Sequence, residues 1–188
     1  MRVRNLHETA HRPDVHVALV RGINVGGRNI VPMAELRDLF GSLGCSSIRS
    51  LLQSGNVAFT PDTPLSPDQI EAAIRERFGC TVTVAMRRAA EIRAIAEGNP
   101  FGTVDPTTLH VGFFSAAPSA AAVRGLSVES CAPELAHLGD AAVYLYLPHG
   151  MGRARLPALI ERRLHVPITY RNWRTVTRLV DLVEASLV

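Results

Sequence analysis

Glycine, arginine and asparagine concentrate in one segment that directly follows a short apolar run, His16 to Val20. The candidate ligand-binding residues of this segment are Arg21, Gly22, Asn24, Gly26, Gly27, Arg28 and Asn29. Glycine permits backbone angles and close approaches that other residues do not. Successive exposed N–H groups can form a concave nest for an anion. The segment therefore predicts a site for a phosphate or a carboxylate.

A second polar group is expected to lie beside this segment. Strands are predicted at residues 48–53 and 56–60, with Ser54 and Gly55 as the turn between them. Because the first and second strands are predicted to run in the same direction, the loop after strand one and this turn meet at one edge of the sheet. Gln53, Ser54 and Asn56 join the candidate site in this way and supply amide and hydroxyl groups.

A third polar group lies near the C-terminus. Its candidate ligand-binding residues are His149, Arg153, Arg171, Asn172 and Trp173. The last helix is predicted to begin beside them, and the N-terminus of a helix favours anions. If the two halves of the chain pack end against end, this group and the first two form one cleft.

Structural roles are open for the same residues. Gly26 and Gly27 are also suited to a tight turn, and amide side chains such as Asn56 often satisfy nearby backbone groups. Trp173 falls on the apolar stripe of the last helix, which is typical of core packing. Arg21 and Arg171 are each also suited to a structural ion pair with an acid.

Long motifs occur in order along the chain: R-G-I-N-V-G-G, V-P-M-A-E-L, Q-S-G-N-V-A-F and R-N-W-R-T-V. Over roughly residues 15 to 188 the chain resembles the bacterial domain-of-unknown-function family 1697. The resemblance implies a cytoplasmic α+β protein and brings no established activity. Tyr170 and Arg174 depart from the family's usual ending, where threonine and asparagine are expected.

The predicted elements repeat in order. Each half of the chain reads strand, helix, strand, strand, helix, strand, helix, and the first six elements have the ferredoxin-like order. The fold class is therefore α+β, with two ferredoxin-like units in tandem and mainly antiparallel sheets. We expect a poorly ordered extension at 1–14, a first unit at 15–98, a linker at 99–107 and a second unit at 108–188.

Local signals support several of the predicted helices. Ser66, with Pro67 and Gln69, predicts a capping box at the start of one helix, and Asn172 predicts the cap of the last one. Strands are also predicted at 81–86 and 130–137, and a helix at 153–164.

The composition restricts the classes of partner. All 20 basic residues are arginine and the formal net charge is +3, which is modest for a nucleic-acid binder. The arginine excess lies in residues 1–28 and 150–188, the two regions that contain the candidate groups, so an anionic partner is expected. No apolar run is long enough to span a membrane.

Metal and cofactor signals are weak. His7-Glu8-Thr9-Ala10-His11 matches HExxH, but Pro13 follows at once and no apolar face supports a helix, so no metal site is predicted. Cys45, Cys80 and Cys131 show no metal-binding spacing and are expected to be reduced packing residues. The sequence identifies no cofactor.

Three functions remain open. The first is binding of a small anionic ligand, a nucleotide or another phosphate or carboxylate; no catalytic constellation can be assigned, and His149 is the only reasonable proton carrier. The second is single-stranded nucleic-acid binding, in which Tyr144, Tyr146 and Phe113 or Phe114 would stack bases. The third is a non-catalytic interaction or dimerisation protein with an apolar sheet face or final helix. The sequence does not determine the oligomeric state.

Overall fold

The computed structural model describes residues 14–186 of the 188-residue chain. The expected extension at 1–14, apart from Asp14, and the His7–His11 match lie outside the described residues. Residues 98–108, where the linker is expected, contain turns and neither helix nor strand.

The first half of the described chain has the predicted order of elements. They are β1 (His16–Arg21), α1 (Met33–Ser42), β2 (Cys45–Leu51), β3 (Asn56–Pro61), α2 (Pro67–Phe78), β4 (Thr83–Arg88) and α3 (Ala89–Glu97). The capping box at Ser66 is present, because the Ser66 side chain accepts from the Gln69 N–H and the Gln69 side chain accepts from the Ser66 N–H. The β4 strand lies two residues later than predicted and continues to Arg88, because its pairing with β1 continues that far.

The second half repeats the order. Its elements are β5 (Leu109–Phe114), α4 (Ala120–Arg124), β6 (Leu135–Leu138), β7 (Ala142–Tyr146), α5 (Leu156–Leu164), β8 (Ile168–Asn172) and α6 (Trp173–Glu184). Two predictions of length are wrong here. The strand predicted at 130–137 begins only at Leu135, because Glu129–Cys131 forms a 3-10 turn. The helix predicted to begin at Arg153 begins at Leu156, after a 3-10 turn at Met151–Arg153.

Each half builds one four-stranded antiparallel sheet, as the α+β prediction requires. The strand orders are β2-β3-β1-β4 and β6-β7-β5-β8. Pairing registers correspond as well, since His16 of β1 lies opposite Arg88 and His110 of β5 lies opposite Asn172. The architecture is consistent with two tandem units.

Three apolar clusters hold the layers together. One lies between the first sheet and helices α1 and α2, and another between the second sheet and α4 and α5. The third is shared: it contains the inner faces of both sheets together with α3 and α6. Because both faces of each sheet are covered, the central strands are apolar on both sides, as in the fully buried β5.

The three cysteines are buried and free. Burial, helped by the charge of Asp62, raises the pKa of the Cys45 thiol to about 11, so the thiol is protonated at neutral pH. Within residues 14–186, no helix is both long enough and apolar enough to cross a lipid bilayer.

Candidate functional site

The glycine-rich segment forms a small hairpin that projects from the end of β1. Val25 and Arg28 form a bridge, and the Asn24 N–H donates to the Asn29 carbonyl at 3.0 Å. Gly26 and Gly27 make the turn with φ values of 58° and 73°, a left-handed conformation that favours glycine. The N–H groups of Asn24 and Arg28 are used inside the hairpin, so they are not free to form the predicted anion nest.

Both asparagine side chains stabilise this hairpin through hydrogen bonds to backbone groups. The Asn24 side chain donates to the carbonyls of Val31 (2.9 Å) and Gln53 (2.8 Å) and accepts from the Val31 N–H (2.8 Å). The Asn29 amide donates to the Gly22 carbonyl at 2.7 Å. The bond from Asn24 to Gln53 shows that the loop after β1 does meet the β2–β3 turn, as the topology predicted.

We expect Asn24→Ala to lower the free energy of unfolding by about 2–3 kcal/mol, because it removes three hydrogen bonds and places alanine in the left-handed region. Urea denaturation measures the loss, and hydrogen exchange of the Val31 N–H should accelerate. Asn29→Ala is the matched control, since Asn29 also has positive φ but its side chain makes a single hydrogen bond among the described residues. Equal losses in the two variants would contradict the bracing role of Asn24.

The β2–β3 turn is built around Asn56, which is fully buried. Its amide donates to the Leu51 carbonyl at 3.0 Å and to the Ser54 hydroxyl at 2.9 Å. The Gln53 residue is exposed, and its backbone carbonyl accepts from the Asn24 amide of the hairpin. Asn56 therefore holds the shape of the turn, the structural role that the sequence left open.

Arg171 of β8 crosses from the second half of the chain into this turn. Its Nε donates to Asn56 Oδ1 at 2.6 Å, and its Nη2 donates to the carbonyls of Ser54 (2.8 Å) and Val20 (3.0 Å). Nη1 donates to the Tyr170 carbonyl at 2.9 Å. All four acceptors are neutral, and within residues 14–186 no carboxylate forms an ion pair with this guanidinium.

Burial without a counter-ion affects the acidity of Arg171. Desolvation disfavours the charged form of a group and lowers the pKa of the Arg171 guanidinium to about 10. The side chain is still cationic at neutral pH. Arg171 therefore places a poorly solvated positive charge between the two halves of the protein.

Arg21 also reaches the second half, and it does meet an acid. Its Nη1 forms an ion pair with Glu161 of α5 and donates to the Ile168 carbonyl at 3.2 Å. Both side chains are partly exposed to solvent, so the pair is within reach of a competing anion.

Arg21 and Arg171 line one pocket of about 210 Å³ at this junction. The other lining residues are Val20, Gly22, Ile23, Val25, Ser54, Ile168 and Tyr170. The Tyr170 hydroxyl donates to the Pro157 carbonyl at 3.2 Å, and burial raises the pKa of Tyr170 above its usual value. The pocket thus combines two guanidinium groups with an apolar wall.

The remaining predicted site residues do not line this pocket. Gly26, Gly27, Arg28 and Asn29 lie in the exposed part of the hairpin, while His149 and Arg153 are exposed in the segment before α5.

The two residues after Arg171 have structural contacts. The Asn172 side chain caps α6 by accepting from the Thr175 N–H at 2.9 Å. Trp173 is partly buried and packs against the shared core. Of the C-terminal group, the structure brings only Arg171 to the glycine-rich segment and the turn.

Arg87 of β4 is the counterpart of Arg171, and the sequence interpretation missed it. Arg87 lies opposite Val17 of β1, as Arg171 lies opposite Val111 of β5. Its Nη2 donates to the carbonyls of Phe114 and Ala141, both at 2.8 Å, across the same junction. The arginine before the last helix of each half therefore binds backbone at the end of the other half's first strand. The sequence did contain a signal for this equivalence. M-R-R-A and Y-R-N-W occupy corresponding places near the ends of the two halves.

One bond distinguishes the two arginines. Asn56, opposite Leu19, accepts from Arg171 Nε, whereas the corresponding position opposite Phe113 is Ala142. Arg87 Nε is accordingly buried with no hydrogen-bond partner among the described residues. The guanidinium of Arg171 therefore has more of its hydrogen-bond donors satisfied than the guanidinium of Arg87.

The aromatic residues of the second sheet are not displayed for base stacking. Tyr144, Phe113 and Phe114 are buried, and the Tyr144 hydroxyl donates to the Ile95 carbonyl at 2.8 Å. Tyr146 is partly buried, with its ring 6.3 Å from that of Phe101. The two sheets and their helices cover this face, so the stacking surface required by the nucleic-acid hypothesis is not exposed.

Within residues 14–186, no group of three histidine, cysteine or acidic side chains is placed to hold a metal ion. The His7–His11 match lies outside this part of the chain.

A solved structure has a similar fold. It is described as the conserved bacterial protein SP0830 from Streptococcus pneumoniae, and it aligns with a TM-score of 0.68 and 23% sequence identity. The alignment covers 90% of this chain and 98% of the other. At this identity the likeness concerns the fold. No curated protein matches this chain.

The family comparison agrees with the family resemblance found in the sequence. The family described as "Protein of unknown function (DUF1697)" matches residues 14–144, which include the glycine-rich hairpin, the Asn56 turn and Arg87. The match covers well over half of the chain, and the chain therefore belongs to the DUF1697 family.

Proposed function

We propose that the protein binds a small anionic ligand in the pocket between Arg21 and Arg171. The observation that carries the proposal is the guanidinium of Arg171, which lies in the pocket wall with four neutral acceptors. A buried charge is expensive unless it is paired. A phosphate or carboxylate in the pocket would supply the missing negative charge.

The ion pair of Arg21 is consistent with anion binding in the same pocket. Two arginines against the single carboxylate of Glu161 leave one positive charge at the junction. Among the described residues, Arg21 donates hydrogen bonds through Nη1 alone, so Nε and Nη2 can donate to an anion while the pair with Glu161 persists. Arginine N–H groups bind carboxylate and phosphate oxygens in a two-pronged geometry.

The pocket dimensions favour a small ligand. A volume of about 210 Å³ is below the range of about 300–1,000 Å³ that is typical of sites for drug-sized molecules. The walls formed by Ile23, Ile168 and Tyr170 favour a short apolar body beside the anionic group. The ligand is therefore a phosphate or carboxylate compound smaller than a nucleotide, or only the phosphate end of one.

We also infer that each half is a ferredoxin-like unit and that the two arose by duplication, with the division inside residues 99–107. Support comes from the strand orders, the equivalent registers and the two crossing arginines. The free cysteines support a reducing compartment such as the cytoplasm.

A second candidate function is protein interaction at the hairpin end of the molecule. Val25 and Ile30 of the hairpin are 69% and 66% exposed, and Leu52 in the adjoining turn is 45% exposed. Neighbouring exposed apolar side chains favour a protein contact. This surface differs from the sheet face and final helix named in the third hypothesis.

The anion site is tested by titrating the protein with inorganic phosphate and with short carboxylates and measuring the heat of binding by calorimetry. We expect saturable binding that Arg21→Ala weakens about 10- to 150-fold, since a charged hydrogen bond contributes about 1.5–3 kcal/mol. Glu161→Gln should strengthen binding, because it removes the competing carboxylate. Arg153→Ala, an exposed arginine outside the pocket, is the matched control and should bind as wild type does.

Two results would overturn the proposal. One is the lack of saturable binding of any of these anions below roughly 10 mM, an affinity weaker than about 3 kcal/mol. The other is an Arg21→Ala variant that binds as tightly as wild type while Glu161→Gln changes nothing.

A further inference from the structure

A second groove lies at the other end of the junction, around Arg87. It consists of two adjoining pockets of about 290 Å³ and 280 Å³, which share Glu91, Asp140 and Ala141 as lining residues. The strand registers make it the counterpart of the pocket at Arg171, because Arg87 and Arg171 occupy equivalent positions. The two grooves are therefore built on the same backbone plan with different side chains.

The charge of this groove is opposite to that of the first. Ser115 lies one residue after β5, the position that corresponds to Arg21 of β1, and it carries no charge. Asp140 and Glu91 add two carboxylates against the single guanidinium of Arg87. The charges of Asp140, Glu91 and Arg87 sum to −1. At the pocket of Arg171, the charges of Arg21, Arg171 and Glu161 sum to +1.

Both carboxylates are available to a ligand. Glu91 accepts from the Arg88 N–H at 2.7 Å through Oε2, while its Oε1 accepts no hydrogen bond from any described residue. In the described part of the chain, the Asp140 carboxylate forms no ion pair and accepts no hydrogen bond. Arg87 does not neutralise them by direct contact, because its bonds go to the Met86, Phe114 and Ala141 carbonyls.

One side of the groove has an apolar wall. Its wall is formed by Ala94 and Ile95 of α3 and by Ala142 and the Tyr144 ring of β7. The Tyr144 hydroxyl donates to the Ile95 carbonyl, so its oxygen keeps a lone pair that can accept a hydrogen bond. An apolar body placed here would lie directly beside the two carboxylates.

We propose that this groove binds a small organic ammonium ion with a short apolar body. The ammonium group lies between Glu91 and Asp140, and the body packs against Ala94, Ile95 and Tyr144. The protein then carries two related sites of opposite charge preference, one at each end of the junction between its halves. This site does not depend on the anion site.

The test titrates the full-length protein with n-hexylammonium chloride and compares it with 1-hexanol and with hexanoate, which share the apolar body and differ in charge. Calorimetry gives the affinity, and NMR follows the amide signals of Ala94 and Ala141. We expect the ammonium ion to bind most tightly. The double variant Glu91→Gln, Asp140→Asn should lower its affinity about three- to twentyfold, because each exposed charge pair contributes little.

Two further variants sharpen the test. Ala94→Phe should abolish binding with little effect on folding, since Ala94 is exposed on its helix and phenylalanine would fill the groove. Glu97→Gln removes an exposed carboxylate of the same helix outside the groove and should leave the affinity unchanged. Equal binding of hexanol and hexylammonium, no saturation by hexylammonium, or an unchanged affinity in the double variant would each overturn the proposal. Phosphate titration of the double variant shows separately whether the anion site is intact.

Discussion

Replacing Arg171 by alanine is expected to lower the free energy of unfolding by about 3–5 kcal/mol, the cost of removing one partner from a buried charged network. The variant loses four hydrogen bonds at once. For a protein of this size the loss corresponds to a fall in Tm of about 6–20 °C. Urea denaturation and thermal unfolding both measure it.

The groups that remain account for much of this cost. Asn56 Oδ1 and the carbonyls of Ser54 and Val20 would each lose a donor in a place that water reaches poorly. An unsatisfied buried acceptor costs about 1–3 kcal/mol. Because these acceptors belong to the first half and Arg171 to the second, the variant also loosens the contact between the halves.

Arg178→Ala is the matched control, because Arg178 is an exposed arginine of α6 and its removal should change stability by less than about 0.5 kcal/mol. Arg171→Lys should also destabilise, since an ammonium cannot reproduce the planar, five-donor geometry. An Arg171→Ala variant as stable as Arg178→Ala would disprove the structural role of Arg171 between the two halves.

Gly55→Ala is expected to cost about 3–5 kcal/mol, through strain in the left-handed region and overpacking. Gly55 has φ 72°, and an added Cβ would lie 2.9 Å from Ile23 Cδ1 and 3.0 Å from the Val20 carbonyl oxygen. The backbone oxygen cannot move freely, because Val20 is held by its own bonds to Gly55 and Arg171. Urea denaturation gives the loss.

Gly27→Ala separates the two causes. Gly27 has nearly the same φ, 73°, but an added Cβ would have no atom of the described residues within 4 Å. This variant should therefore lower the free energy of unfolding only through backbone strain, by about 1 kcal/mol. If the two alanine variants lose the same stability, close packing at Gly55 is not what requires glycine.

Features that depend on near neighbours in the chain were predictable. The capping box at Ser66 and the Asn172 cap join residues three positions apart. The apolar stripe of α1 and the order of helices and strands along the chain follow from the periodicity of apolar residues. The positions where β6 and α5 begin were predicted wrongly, because irregular turns precede both elements.

The candidate site was only partly predictable. The meeting of the glycine-rich loop with the β2–β3 turn followed from topology, and the Asn24–Gln53 bond realises it. The predicted backbone nest lacks two of its N–H groups, because those of Asn24 and Arg28 close the hairpin themselves. Asn56 was named as a ligand group, yet its amide and its carbonyl oxygen are both bound within the protein.

The sequence by itself determined the family, the α+β class, the repeated element order and the residues rich in binding chemistry. Only the tertiary structure decided which of those residues have partners. Arg21 forms an ion pair with an acid 140 positions away. Arg171 binds carbonyls and an amide 115 to 151 positions away, and it pairs with no acid in the described part of the chain. The two side chains have the same chemistry, and their local sequences do not distinguish these outcomes. The outcome depends on how the two sheets pack through the shared core, which brings together groups that are far apart along the chain.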